Sequence, residues 1–221
     1  MEQAINLAKD IDFDLFMTIM EWIGTVAFAV SGAVVAIRHD LDYYGICFLA
    51  IITAVGGGIV RDVLVNRNLP ASLANPTYAI ASIVTAAVVI FSYKKIQKIG
   101  HLVSIADAIG LAAFTAVGCR VAVVTQHPKM FVIITMGVLT GTFGGVLRDV
   151  FVQEVPYCFR REVYAVASII GAIAFYLSYH LSYDFAGLTI AILTAFAVTL
   201  AVRLYAIFKN LHLGKVKQHD R

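Results

Sequence analysis

The sequence predicts an all-α integral membrane protein. Seven transmembrane helices are expected, as two inverted three-helix repeats plus one, with helices 2 and 5 broken at glycines. Three observations predict this. Apolar residues make up 60% of the chain and charged residues only 14%, with a mean hydropathy of +0.84, where a soluble domain carries about 25% charged residues. Seven stretches are long and apolar enough to cross a bilayer, which takes about 20 residues. One pattern occurs twice: TAVGGGIVRDV at 53–63 and TGTFGGVLRDV at 140–150.

The N-terminal MEQAINLAKDIDFDLF is acidic. It lacks the basic start, short apolar run and small-residue cleavage site of a secretory signal, so the first apolar segment is expected to be a retained span. The spans fall at about 15–37, 43–65, 75–93, 104–124, 130–152, 162–180 and 185–207. Short polar connections join them, such as RHDLD, NRNLPASLANP and QEVPYCFRRE, and leave little room for a soluble domain.

The repeat extends beyond the motif. TYAIASIV (77–84) matches VYAVASII (163–170), and EWIGTVAFAVSG (21–32) parallels DAIGLAAFTAVG (107–118), always at an offset of 86 or 87 residues. This sets Glu21 over Asp107, Gly24 over Gly110 and Phe28 over Phe114. The expected units are 15–93, 104–180, a seventh helix at 185–207 and a basic tail at 208–221. Three spans is an odd number, so the second unit enters from the opposite face. The two copies are then related by a pseudo-twofold axis in the membrane plane.

Lysine and arginine counts in the loops set orientation. One side holds ten (Arg38, Lys94, Lys95, Lys98, Arg160, Arg161, Lys209, Lys215, Lys217, Arg221), the other three (Lys9, Arg67, Lys129). The richer side is expected to be cytoplasmic, with the N-terminus outside and the C-terminus inside. The basic tail suits anionic lipid, and serves equally as a topology signal.

Each glycine costs about 1 kcal/mol in a helix relative to alanine, so Gly56-Gly57-Gly58 and Gly144-Gly145 favour a break or hinge in helices 2 and 5. A break at membrane depth survives only where protein or water covers the freed backbone. Two such breaks in equivalent helices point to an internal polar site. Half-helices ending there would present carbonyls, which suit a cation, and those beginning there would present N–H groups, which suit a carboxylate.

Arg61 and Asp62, like Arg148 and Asp149, come one turn after the glycines. Sequence neighbours do not face each other on a helix, so the expected pairs are Arg61 with Asp149 and Arg148 with Asp62. Intramembrane charges usually serve a pathway; the pairs either line or gate one, or staple the two repeats together. Thr53 and Thr140 precede the glycines and either lend hydroxyls to an ion or bond their own backbone. Glu21, Asp107 and, near the end of its helix, Arg120 are candidates for a vestibule; Glu21 and Asp107 could equally sit at the interface. Arg120 and Arg203 could snorkel. Gly137, Gly141 and Gly145 also form a small-residue ladder of the kind that lets helices pack closely.

Cys47, Cys119 and Cys158 are far apart and the six histidines form no paired ligand motif. No fixed metal site, no cofactor and no nucleic-acid partner is expected. No nucleophile–base constellation suggests an enzyme.

The paired motif (Gly57, Gly58, Arg61, Asp62; Gly144, Gly145, Arg148, Asp149) and the 3+3+1 layout resemble a bacterial member of the trimeric intracellular cation channel family. The same proteins are also grouped as a glycine-transporter-like domain family. The resemblance covers about 15–207, and departs where Phe143 stands opposite Gly56. It implies a homotrimer in the bacterial inner membrane, with one pore per protomer and passive conduction of potassium or sodium. The pore would be lined by helices 2 and 5, with ions passing Gly56, Gly57, Gly58, Gly141, Gly144 and Gly145, transiently held near Gly56, Gly57 and Gly144. Animal relatives carry a lysine-rich lipid-binding motif after the first broken helix; here that segment reads VLVNRNLP. A potassium-permeable channel is the leading reading. A transporter for glycine or a similar zwitterion is the alternative, since a two-sided dipole site suits both charges. A scaffold without a pathway leaves the breaks unexplained.

Overall fold

The structure, a computed structural model, describes residues 2–96, 101–160, 163–181 and 185–211. Every element among them is helical: α1 (Glu2–Arg38), α2 (Tyr43–Leu64), α3 (Ala71–Ala74), α4 (Thr77–Ile96), α5 (Leu102–Val124), α6 (Met130–Phe151), α7 (Tyr157–Arg160), α8 (Tyr164–Leu181) and α9 (Phe185–Lys209). Seven contain stretches long and apolar enough to span a bilayer: Leu15–Arg38, Tyr43–Leu64, Thr77–Lys95, Leu102–Val124, Met130–Phe151, Tyr164–Leu181 and Gly187–Lys209. The four-residue helices α3 and α7 fold the connections after α2 and α6. Arg38, Lys94, Lys95 and Lys209 close α1, α4 and α9 at one end of the bundle, the basic end. Lys98, Arg161 and the tail from 212, with Lys215, Lys217 and Arg221, lie outside the described residues.

Burial orders the helices. The spanning stretch is 72% buried in α5 and 61% in α1, but 17% in α4, so α1 and α5 form the centre. Their sequences explain it. In lipid, apolar surface gives helices no reason to associate; small residues do, by letting backbones approach. Ala27, Ala29, Ala33 and Ala36 on α1, with Ala108, Ala112, Ala113 and Ala116 on α5, are buried. Phe28 and Phe114 meet where these helices pack, ring centroids 5.4 Å apart.

The expected breaks in the second and fifth spans are not there. α2 and α6 continue as hydrogen-bonded helix through Gly56–Gly58 and Gly144–Gly145, and no glycine among the described residues has positive φ. The physical reason is packing between the two helices. A Cβ on Gly57 would overlap the Thr140 carbonyl oxygen, and a Cβ on Gly144 would overlap the Thr53 carbonyl oxygen. The glycines are the crossing point of α2 and α6. Their poor helix propensity is offset by backbone contact that no larger residue permits.

Both helices end the same way. Asn66 and Gln153 take the left-handed conformation (φ 57° and 60°) just past α2 and α6. Arg67 N–H donates to Asp62 O and Asn66 N–H to Val63 O; Glu154 N–H donates to Asp149 O and Gln153 N–H to Val150 O. This double closure satisfies the last carbonyls and turns the chain back toward the bundle. It delivers the first residues of α3 and α7 to the Arg-Asp motifs.

Candidate functional site

α2 and α6 run in opposite directions through their crossing. Arg61 lies four residues beyond Gly57 and Arg148 four beyond Gly144, so the two motifs diverge by roughly 12 Å along the axis. The expected pairs of Arg61 with Asp149 and Arg148 with Asp62 do not form. Each arginine instead folds back on the next residue: Arg61 Nε donates to Asp62 Oδ1 at 2.8 Å, and Arg148 Nε to Asp149 Oδ1 at 2.8 Å. Cβ directions separate neighbours on a helix, but arginine's long arm reaches around it.

The second oxygen of each aspartate holds a short helix. Asp62 Oδ2 accepts from Ala71 N–H at 2.8 Å, and Asp149 Oδ2 from Tyr157 N–H at 2.6 Å. Each carboxylate thus satisfies an N–H that its helix leaves orphaned. Arg61, Asp62, Arg148 and Asp149 are all buried.

Around these cores the two ends differ. At the end away from the basic loops, the Tyr78 hydroxyl donates to Glu21 Oε2, and Arg67 Nη1 lies 3.6 Å from Asp62 Oδ2. A cavity of about 40 Å³ remains there, lined by Glu21, Thr25, Gly58, Arg61, Asp62 and Tyr78 among others. That is room for a few water molecules. At the basic end, Arg148 Nη1 donates to Asp107 Oδ1 and to the Ser31 hydroxyl, and Ser31 donates to Asp107 Oδ1 at 3.0 Å. Tyr164, equivalent to Tyr78, is fully enclosed, and the Arg203 guanidinium sits 5.1 Å over both its ring and that of Tyr157. Outside this knot opens a cavity of about 510 Å³, lined by Val35, Arg38, His39, Arg148, Asp149 and Glu154 among others. His39 Nε2 and Glu154 Oε1 lie 3.1 Å apart at its rim.

The remaining predicted residues fall around the crossing. Thr53 and Thr140 donate their hydroxyls to their own helices, at Leu49 O (2.5 Å) and Met136 O (2.6 Å). Gly32 and Gly118 close over those hydroxyls. Gly56 lies under Leu147, Gly58 borders the smaller cavity, Gly141 packs on Thr115, and Gly145 packs beside the Tyr164 hydroxyl. Glu21 does line a cavity; Asp107 is locked to Arg148 instead. Arg120 lies over the Phe13 ring, 5.1 Å from its centroid, away from both clusters. Arg203, expected to snorkel, is 3% exposed. Sequence reasoning gave no role to Ser31, Tyr78, Tyr164, Phe28 or Phe114. Four of these five lay in the matched repeat segments as equivalent pairs, which was the available signal; Ser31, opposite Val117, had none.

Comparison with known proteins follows the same lines. Residues 18–94 and 104–180 each match the family described as glycine transporter. The UPF0126 inner membrane protein YadS of Escherichia coli K12 is 34% identical over 196 residues, covering 88% of this chain and 93% of its own. The UPF0126 membrane protein YvgT of Bacillus subtilis is 38% identical over 156 residues, covering 68% and 75%. A structure solved to explain conductance through TRIC cation channels superposes with a TM-score of 0.84 at 31% identity, covering 92% of this chain and 98% of that one. The TRIC trimeric intracellular cation channel orthologue from Rhodobacter sphaeroides gives 0.82 at 32% identity, covering 89% and 99%. The solved relatives are cation channels, not enzymes. By sequence and by fold, this chain belongs to the UPF0126 (glycine transporter) family of multi-pass inner-membrane proteins and shares its fold with solved TRIC cation channels.

Proposed function

We propose that the chain is a cation channel, permeable to potassium, that conducts along a path inside each protomer. The observation that carries this reading is one face of α1. Glu21, Thr25, Phe28, Ser31 and Val35 recur at three- and four-residue steps, which is one side of a helix. Glu21 and Thr25 border the smaller cavity, Ser31 contacts Arg148, and Val35 borders the larger one. The face therefore runs from one cavity to the other beside the α2–α6 crossing. Phe28 against Phe114 and the Arg148–Asp107–Ser31 knot are the two barriers along it. With Asp62 balanced by Arg61, the Glu21 carboxylate gives the outer cavity a field that favours cations.

In this reading the units are 15–93 and 104–180, with 185–207 standing outside the repeat and 208–221 as a cytoplasmic tail. The Lys and Arg counts support an outside N-terminus, and the solved relatives support a homotrimer. The apolar groove between α1 and α5, lined by Trp22, Val26, Val30, Ile105 and Ile109 among others, is the face assigned to a neighbouring protomer. The zwitterion-carrier reading rested on half-helix ends that continuous helices do not provide.

The deciding experiment is flux into liposomes holding purified protein. Potassium entry with unitary currents in planar bilayers is the expected result. Saturable uptake of labelled glycine without unitary current would overturn it.

A further inference from the structure

A third buried arginine plays no part in conduction as described. Arg61 and Arg148 each commit Nε to the carboxylate that follows in sequence; Arg203 is followed by Leu204. Tyr157 and Tyr164 cover its guanidinium, each ring centroid 5.1 Å away. Its Nε and Nη2 are shut from solvent and have no hydrogen-bond partner among the described residues. These two N–H groups share one edge of the guanidinium. That edge grips two oxygens of a carboxylate or phosphate at once. Leaving it buried and empty is costly, since each donor has lost water and gained nothing.

The surroundings supply the rest of a site. Arg203 borders a cavity of about 30 Å³ at the basic end, with His101, Ser104, Tyr157 and Asn210. The Ser104 and Tyr157 hydroxyls hydrogen-bond at 3.4 Å, and where Tyr157 donates, the Ser104 proton can turn inward. A ring nitrogen, a hydroxyl and an amide are donors for an oxyanion's remaining oxygens. Among the described residues no carboxylate borders the cavity. Its volume admits the end of a ligand and leaves the body outside. Lys209, six residues on, closes α9 at this end.

We propose that Arg203, with His101, Ser104 and Asn210, binds a phosphate oxyanion, from an anionic lipid headgroup or from free phosphate. Tyr157 joins this site to the Arg-Asp core: its ring covers Arg203 while its N–H holds Asp149. Coupling of occupancy to flux rests on the channel reading; binding does not.

The test uses the full chain, delipidated in detergent and then placed in phosphatidylcholine nanodiscs with or without phosphatidic acid. A second arm offers radiolabelled inorganic phosphate to the detergent-solubilised protein. The wild type is expected to gain thermal stability with phosphatidic acid, to retain phosphate, or both. Arg203→Lys, which keeps the charge but loses the two-donor edge, should weaken binding at least about tenfold. Lys209→Gln should leave it unchanged. Response to phosphatidic acid alone identifies a lipid site, and response to phosphate alone a soluble-anion site. No response above that of Arg203→Lys overturns the proposal, as does an equal loss in Lys209→Gln. Should Arg203→Lys fail to fold, Ser104→Ala decides: weakened binding supports the site, and unchanged binding overturns it. A chain that binds but passes no potassium would sink only the channel reading.

Discussion

The two Arg-Asp clusters share a motif, a neighbouring acid and a neighbouring tyrosine, yet end in different states. At the end away from the basic loops Glu21 pairs with Tyr78, Arg61 is left beside a small cavity, and the site has spare room. At the basic end Asp107, one methylene shorter, pairs with Arg148, and nothing is left open between them. Two residues without counterparts make the difference. Ser31 stands where the second repeat has Val117, and it donates to Asp107 while accepting from Arg148. Arg203 comes from α9, which has no equivalent in the repeat, and covers Tyr157 and Tyr164. The two repeats supply similar frames, and single side chains make one a chamber and the other a latch.

The largest test of this contrast removes the acid from each end. Asp107→Asn leaves the buried Arg148 to Asp149 alone and should cost about 2–3 kcal/mol, seen as a clear fall in thermal unfolding midpoint in detergent. Glu21→Gln faces a cavity with room for water and should cost about 1 kcal/mol or less. Equal losses would erase the distinction between the ends. Next come the glycines. Gly57→Ala and Gly144→Ala should each lose about 1–3 kcal/mol, and by similar amounts, because each faces the carbonyl of the other helix. Gly58→Ala, with nothing nearer than Arg61 Nη2 at 3.8 Å, should gain up to about 1 kcal/mol. Ser31→Val gives the first repeat the residue of the second. It removes hydrogen bonds to charged groups, and potassium flux into liposomes should rise about tenfold. The smallest effect concerns Cys158, beyond the end of α6. Burial, and then the Asp149 carboxylate, hold its thiol above the usual range. The thiolate is the reactive form, so alkylation by a maleimide at neutral pH should be slow. Asp149→Asn removes one raising charge and should speed it several-fold.

The seven spans were legible because lipid imposes a length and a composition that few other constraints imitate. The duplicated packing was legible too: Phe28 and Phe114, aligned by sequence alone, touch in the fold. The role of the glycine triplet was not. Propensity describes a helix by itself, whereas Gly57 answers to the backbone of α6. The partners of Arg61 and Arg148 were misread for a related reason. Where two helices cross fixes which charges can meet, and no spacing along one chain encodes that. α3 and α7 escaped notice because four residues carry no periodicity. Their first N–H groups are held by Asp62 and Asp149, across the turns that end α2 and α6. Arg203 looked like an interfacial cation because its burial depends on Tyr157 and Tyr164 arriving from other helices.

The reciprocal seating of Gly57 on Thr140 and Gly144 on Thr53 has a mechanical meaning. Two rods that touch at a pair of symmetry-related points cannot slide past each other without lifting apart. They are free only to rock, and the contact becomes a fulcrum. Spreading the rods at one membrane face then draws them together at the other. The chamber and the latch sit on opposite arms of that lever, so neither can change its width without the other being told.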